Sequence, residues 1–124
     1  MGAISLDVFG RVQDVATKST MVQKHGAVIV QNNQIISEGF NYLANFMSHS
    51  YSIHAEVAAL MNIPKRYRQK RYLEDSTMVV VRVSGKDNHI NMSAPCANCR
   101  REIEKAGIKR VFYSSSMNST NSSS

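Results

Sequence analysis

The chain has 124 residues, 43% of them apolar and 19% charged, which suits one globular domain and leaves no room for two. Lys and Arg exceed Asp and Glu by six, so a polyanionic ligand has to be considered, while a count of two cysteines excludes a disulfide scaffold. No stretch approaches the roughly 18–20 continuous apolar residues of a membrane span. Met1–Asp7 lacks the basic flank and apolar run of a signal peptide, so a cytoplasmic, reducing setting is expected.

From Leu6 to Ser19, Val8, Val12 and Val15 with Phe9 and Ala16 follow the spacing of an amphipathic helix, weakened by Gly10. Gly26–Val30 and Gln34–Phe40 are strand candidates, and Gln31-Asn32-Asn33-Gln34 between them predicts a hairpin. His25 is expected just before the first strand, at the surface or the edge of the core; His49 and His89 fall in expected loops. His54–Met61 returns to helical period, limited by Pro64.

The segment Lys65–Arg71 carries five of the six excess positive charges. It reads either as a solvated loop or helix end, or as a contact for phosphate, a subunit or RNA through Lys65, Arg66 and Arg68. Thr77–Val83 is a buried strand, since its valines cover both faces. The polar connection Ser84–Ser93 suits a mobile loop over a site. Pro95–Ala106 is a helix opened by Pro95 and closed by Gly107, and Ile108–Tyr113 is a last strand. Seven of the eleven residues from Ser114 to Ser124 are serine, so the expected division is a domain over 1–113 and a disordered tail over 114–124. Alternating strands and helices in the second half predict an α/β domain with helices packed on a mixed sheet.

The chemistry sits in His54-Ala55-Glu56 and Pro95-Cys96-Ala97-Asn98-Cys99, both at expected helix starts. Cys96 and Cys99 are three apart, so both sulfurs can point to one side of the first turn. With His54 they make three ligands for a tetrahedral Zn²⁺ and leave a fourth position for water, the mark of a catalytic zinc site. Exposed N–H groups and the positive dipole end favour the thiolate form. Glu56, two residues after His54, is too close to ligate beside it comfortably and can project alongside the water as a proton carrier. A structural zinc site is the bland alternative, but it normally closes with a fourth protein ligand, for which His25, His49 and His89 are weak candidates.

The pattern H-x-E…P-C-x-x-C is the signature of zinc nucleobase deaminases. Together with His25–Val30, Glu38-Gly39-Phe40-Asn41 and Ala106–Tyr113 in the same order, it resembles the cytidine/deoxycytidylate deaminase superfamily over about residues 20–113. The resemblance implies a three-layer α/β/α fold with a mixed sheet, zinc on His54, Cys96 and Cys99, and Glu56 as proton shuttle. It further implies that Asn41 holds a sugar hydroxyl, that the backbone at Ala55 contacts the base, and that the carbonyl of Ala94 receives the departing amino group. Family members commonly form oligomers in which a neighbouring subunit helps close the pocket.

Small tetrameric cytidine deaminases place cysteine where His54 stands, which disfavours the free-cytidine branch. Transfer RNA enzymes usually have glutamate before Pro-Cys, where this chain has Ala94. Members acting on deoxycytidylate, on transfer RNA adenosine or on a riboflavin precursor have His-Ala-Glu. The zinc and Glu56 set with Asn41 and the nearby basic segment makes deoxycytidylate the favoured substrate, with a base in RNA, as in tRNA adenosine deaminases, as the alternative. Twelve residues separate Asn41 from His54. That is shorter than in regulated deoxycytidylate enzymes, and a final strand and helix are expected to be missing after Tyr113, so triphosphate control is not expected. A catalytically silent zinc-binding module is the non-enzymatic alternative.

Overall fold

The computed structural model describes residues 6–21, 23–83, 90–91 and 97–114. Helix α1 (Leu6–Thr17) opens the chain, followed by strands β1 (Lys24–Gln31) and β2 (Gln34–Phe40). These two strands pair antiparallel as expected. Asn32 and Asn33 close the turn at φ of 53° and 64°. Two consecutive left-handed residues make a type I′ turn, whose twist matches that of the strands, and asparagine tolerates this conformation.

Strand β5 (Thr77–Val83) coincides with its expected bounds and lies antiparallel to β1. On its other side β5 pairs antiparallel with the short β6 (Ile90–Asn91) and parallel with β7 (Arg110–Tyr113). The result is a mixed sheet with β1 and β5 at its centre.

Alternation along the strands divides the core in two. Val28, Val30, Val79, Val81 and Val83 pack with Val8, Val12, Val15 and Ala16 of α1. Ala27, Ile29, Met78 and Val80 face the opposite side, against α2 (Ala55–Met61), α3 (Lys70–Leu73) and α4 (Ala97–Ala106). The expected three-layer α/β/α arrangement is therefore present. Two glycines set how closely its layers approach. A Cβ on Gly26 would meet Ala16 N at 2.6 Å, and one on Gly39 would meet Ala59 N at 2.3 Å.

Several elements depart from the sequence-based expectation. Tyr42–Phe46 (β3) and His49–Ile53 (β4) form a separate two-stranded sheet, so His49 lies in a strand and not a loop. His25 lies inside β1, which starts at Lys24. The basic segment contains a 3₁₀ turn, Lys65–Tyr67, and then α3. The first helix ends at Thr17, and Ser19 beyond it is buried, its hydroxyl donating to the Asn41 carbonyl at 2.9 Å.

Ser114, assigned from composition to the tail, is buried and donates its N–H to Val80 O at 2.9 Å. The rest of that tail, the 84–89 connection with His89, and Ala94, Pro95 and Cys96 lie outside the described residues. Among the described residues no helix is long and apolar enough to cross a membrane.

Candidate metal and catalytic site

Helix α2 carries the central residues at its start. His54 is the N-cap, with extended backbone at φ −75°, ψ 153°. Its carbonyl accepts the Ala58 N–H at 2.9 Å, while its side chain makes no capping bond and is left to turn outward. The helix is held against the sheet from below. Ala55 and Ala59 enter the core on the face of Ala27 and Ile29, and the Ser37 hydroxyl of β2 donates to the Ala59 carbonyl at 2.5 Å. Helix α4 approaches from the side. Ile103 anchors it in the same core, and Cys99, one turn earlier on the same face, is buried against His54.

His54 Nδ1 lies 3.2 Å from Cys99 Sγ. One zinc ion bonded to an imidazole nitrogen and a thiolate at ordinary lengths and tetrahedral angles separates the two atoms by about 3.6 Å. The observed pair is a few tenths of an ångström from that spacing, and its nitrogen–sulfur character suits zinc. The Glu56 carboxylate completes a group whose ligand atoms all lie within 4.8 Å of one another. His54 and Cys99 thus come together as the sequence implied; Cys96, the third expected ligand, falls outside the described residues.

Glu56 is 5% exposed. Burial pushes its carboxyl up from the ordinary glutamate value, offset by its own backbone hydrogen bond, the nearby His54 and a hydrogen bond with Cys99. A carboxyl in such surroundings is suited to taking up and handing on a proton.

His54 and Glu56 border a cavity of about 690 Å³. Ile53, Ala55, Thr20, Met21 and Gln23 line it with them, as do Leu43 and Ser52 of the β3–β4 hairpin. Asn41 and His25 also line it. Asn41 is buried; its Nδ2 donates to the Gln23 carbonyl at 2.7 Å and its Oδ1 accepts the His25 N–H at 2.9 Å. It therefore clamps the start of β1, with one N–H and one oxygen lone pair left for other partners.

Lys65, Arg66 and Arg68 are not brought to this cavity. They follow the far end of α2, a seven-residue helix about 10 Å long. Arg68 donates to the carbonyls of Ile63 (2.8 Å) and Met61 (3.1 Å), capping that end, and Arg66 lies over the Tyr67 ring at 5.0 Å.

His25, expected before the first strand at the surface or the edge of the core, lies within β1, and the period-two series His25, Ala27, Ile29 places its half-buried side chain on the α2 face. Burial, then Arg82, then His54 lower its pKa.

The family model for the cytidine and deoxycytidylate deaminase zinc-binding region matches residues 7–115. A curated relative, the tRNA-specific adenosine deaminase of Buchnera aphidicola subsp. Baizongia pistaciae (strain Bp), is 31% identical over 88 residues. The match covers 71% of this chain and 46% of that protein, so the chain spans about half the length of the curated relative it matches. Among solved structures, cytidine deaminase from Burkholderia pseudomallei is similar with a TM-score of 0.69 and 19% identity, over 95% of this chain and 90% of that one. The dCMP deaminase from cyanophage S-TIM5, in complex with dCMP and dUMP, gives a TM-score of 0.57 at 19% identity, over 94% and 87%. At those identities the two likenesses show the fold alone.

Proposed function

The chain belongs to the cytidine and deoxycytidylate deaminase zinc-binding family, and we propose that it is a hydrolytic deaminase of a cytosine nucleotide or nucleoside, with deoxycytidylate favoured. The observation that carries this reading is the meeting of His54, Cys99 and the Glu56 carboxylate in one group, two of whose members, His54 and Glu56, line a cavity. His54, Cys99 and Cys96 would hold a zinc ion, which when bound acidifies water and so supplies a nucleophile at neutral pH.

The remaining chemistry belongs to the chain. The Glu56 carboxylate takes a proton from the attacking water and delivers it to the ring nitrogen beside the reacting carbon. It then takes the second water proton and gives it to the departing amine. The C–N bond breaks, ammonia leaves, and the carbon retains the water oxygen as a carbonyl. Positioned proton transfer of this kind contributes about 10²–10⁴-fold. Glu56 is placed to hold a proton between these steps because burial already favours its neutral form.

Asn41 takes the substrate's sugar hydroxyl with the hydrogen-bonding capacity it has left, and the backbone at Ala55 contacts the base. The carbonyl of Ala94 receives the departing amino group. The enzyme acts as a cytoplasmic homo-oligomer whose neighbouring subunit helps close the cavity.

A second reading, deamination of a base in RNA, is favoured by the 31% identity to a tRNA-specific adenosine deaminase. Ammonia release from zinc-loaded protein separates the readings. The panel is dCMP, CMP, deoxycytidine, cytidine, adenosine and a folded transfer RNA. Because no Lys or Arg is found among the described residues lining the cavity, the nucleosides stand beside the nucleotides. Release from the cytosine compounds supports the first reading. Release from RNA alone supports the second, with salt-dependent binding that weakens when Lys65, Arg66 and Arg68 are neutralised together. No release from any of them removes both and leaves a silent zinc-binding module.

A further inference from the structure

We propose that His25 is a specificity-determining residue whose imidazole hydrogen-bonds the 2-oxo group of a pyrimidine base in the cavity it shares with His54 and Glu56. The inference rests on the deaminase reading above and names the contact that selects its base.

Three structural features place the ring there. His25 lies on β1 in the series His25, Ala27, Ile29, which faces α2, so beyond the apolar core its side chain emerges at the end of the sheet where α2 begins. It lines the same cavity as His54 and Glu56. Its backbone is fixed from both sides by a single residue, since the Asn41 Oδ1 accepts its N–H at 2.9 Å and its carbonyl accepts the Asn41 N–H at 3.3 Å. Strand β5 adds a third restraint through the register His25↔Arg82. A half-buried side chain on so constrained a backbone presents its hydrogen-bonding groups in a narrow range of directions.

The chemistry follows from the ring and from the base. An imidazole carries at least one N–H donor, whichever ring nitrogen holds the proton. In cytosine the polar edge runs from the amino-bearing carbon through a ring nitrogen to a carbonyl. In adenine the same walk runs from the amino-bearing carbon through a ring nitrogen to a C–H. Glu56 addresses the first two groups in either base, so they do not discriminate. The third group does. A donor at that place is paired by the pyrimidine carbonyl and stranded against the purine C–H, and a buried donor left without a partner is costly. The ring is not one of the grouped metal-ligating side chains, so this task is separate from holding zinc.

The test uses zinc-loaded full chains. His25→Phe keeps a ring in place and removes both nitrogens; His25→Gln keeps a donor and an acceptor. Steady-state kinetics on dCMP and dAMP, and on cytidine and adenosine, are read with zinc content and melting temperature. Cytidine binding is also titrated in a Glu56→Ala background, where no turnover interferes.

The expected result for His25→Phe is a rise of about 10-fold in KM for whichever cytosine compound the wild type deaminates and in Kd for cytidine, a smaller change in kcat, and loss of the cytosine-over-adenine preference by the same factor. His25→Gln retains most of the preference. An unchanged KM for that cytosine compound and an unchanged base preference in His25→Phe overturn the proposal. So does an equal loss on both bases in parallel with the melting temperature, which marks a structural role, and so does a wild type that acts on adenosine in preference to cytidine. A wild type that releases ammonia from no base fails at the earlier step and is distinguishable, because the deaminase reading goes with it.

Discussion

Replacing Gly39 with alanine tests how closely the catalytic helix must sit on the sheet. The added Cβ would lie 2.3 Å from Ala59 N, 2.7 Å from Ala58 C and 2.8 Å from Ala58 Cβ, all in the middle of α2. Two of these are backbone atoms of a short helix, so no flexible side chain can swing away. Ordinary contact begins near 3.4 Å, so the helix has to retreat by about 1 Å. Overpacking of this kind costs about 3 kcal/mol, which lowers the melting temperature of a domain this size by about 10–15 °C.

The retreat also draws Ala59 from the Ser37 hydroxyl and shifts Glu56, and a misplacement near 1 Å costs about 10²-fold in rate. Gly10→Ala is the control. It is exposed in α1 with nothing within 4 Å of the new Cβ, so the same chemical change stabilises by about 0.5–1 kcal/mol. Differential scanning calorimetry with ammonia release reads both variants. A Gly39→Ala protein that melts with the wild type, or a Gly10→Ala protein equally damaged, would refute the reasoning.

Ser37→Ala removes the hydroxyl that meets the Ala59 carbonyl in a buried place and should cost about 1–3 kcal/mol in urea unfolding. Arg68→Ala strips the donors from the carbonyls of Met61 and Ile63 and should cost about 1 kcal/mol, while Lys65→Ala stays within about 0.5 kcal/mol of wild type. The Arg11 guanidinium holds the Glu38 carboxyl below its ordinary value through a hydrogen bond and its charge. A lowered folded pKa gives stability that is present above the unfolded value and is lost as pH falls through the folded one. The urea midpoint of Glu38→Gln should therefore lie slightly below wild type at neutral pH, and the gap should close in acid; a gap that widens in acid contradicts the assignment.

Much of this was legible because the decisive patterns are local. The apolar runs Gly26–Val30 and Thr77–Val83 and the turn residues Asn32 and Asn33 specify three strands and a hairpin almost to the residue. His54 and Glu56 are separated by one residue at a helix start, so their proximity hardly depends on the rest of the chain. The contact of His54 with Cys99 is a long-range one, and there the motif, not the periodicity, carried the expectation.

The β3–β4 hairpin was hidden for physical reasons. Its arms, Tyr42–Phe46 and His49–Ile53, lack a clean apolar alternation because the ribbon stands off the main core, with Leu43 and Tyr51 exposed. Its turn is closed by Met47 at φ 57°, where the usual signal is asparagine or glycine. His25 falls inside β1 because the strand begins two residues earlier than its apolar run. The basic segment announced its charge, but its shape depends on tertiary contacts. Arg68 finds the end of α2, and Leu73 of α3 enters the core beneath it.

The central claim is that Glu56 moves the proton in a hydrolytic deamination at a zinc held by His54, Cys96 and Cys99. The most direct measurement compares ammonia release from dCMP and cytidine by the wild type and by Glu56→Ala at equal zinc content. The account predicts full zinc in both proteins, release by the wild type, and a fall of about 10²–10⁴-fold or more in the variant. A variant that keeps its zinc and deaminates as fast as the wild type would contradict it.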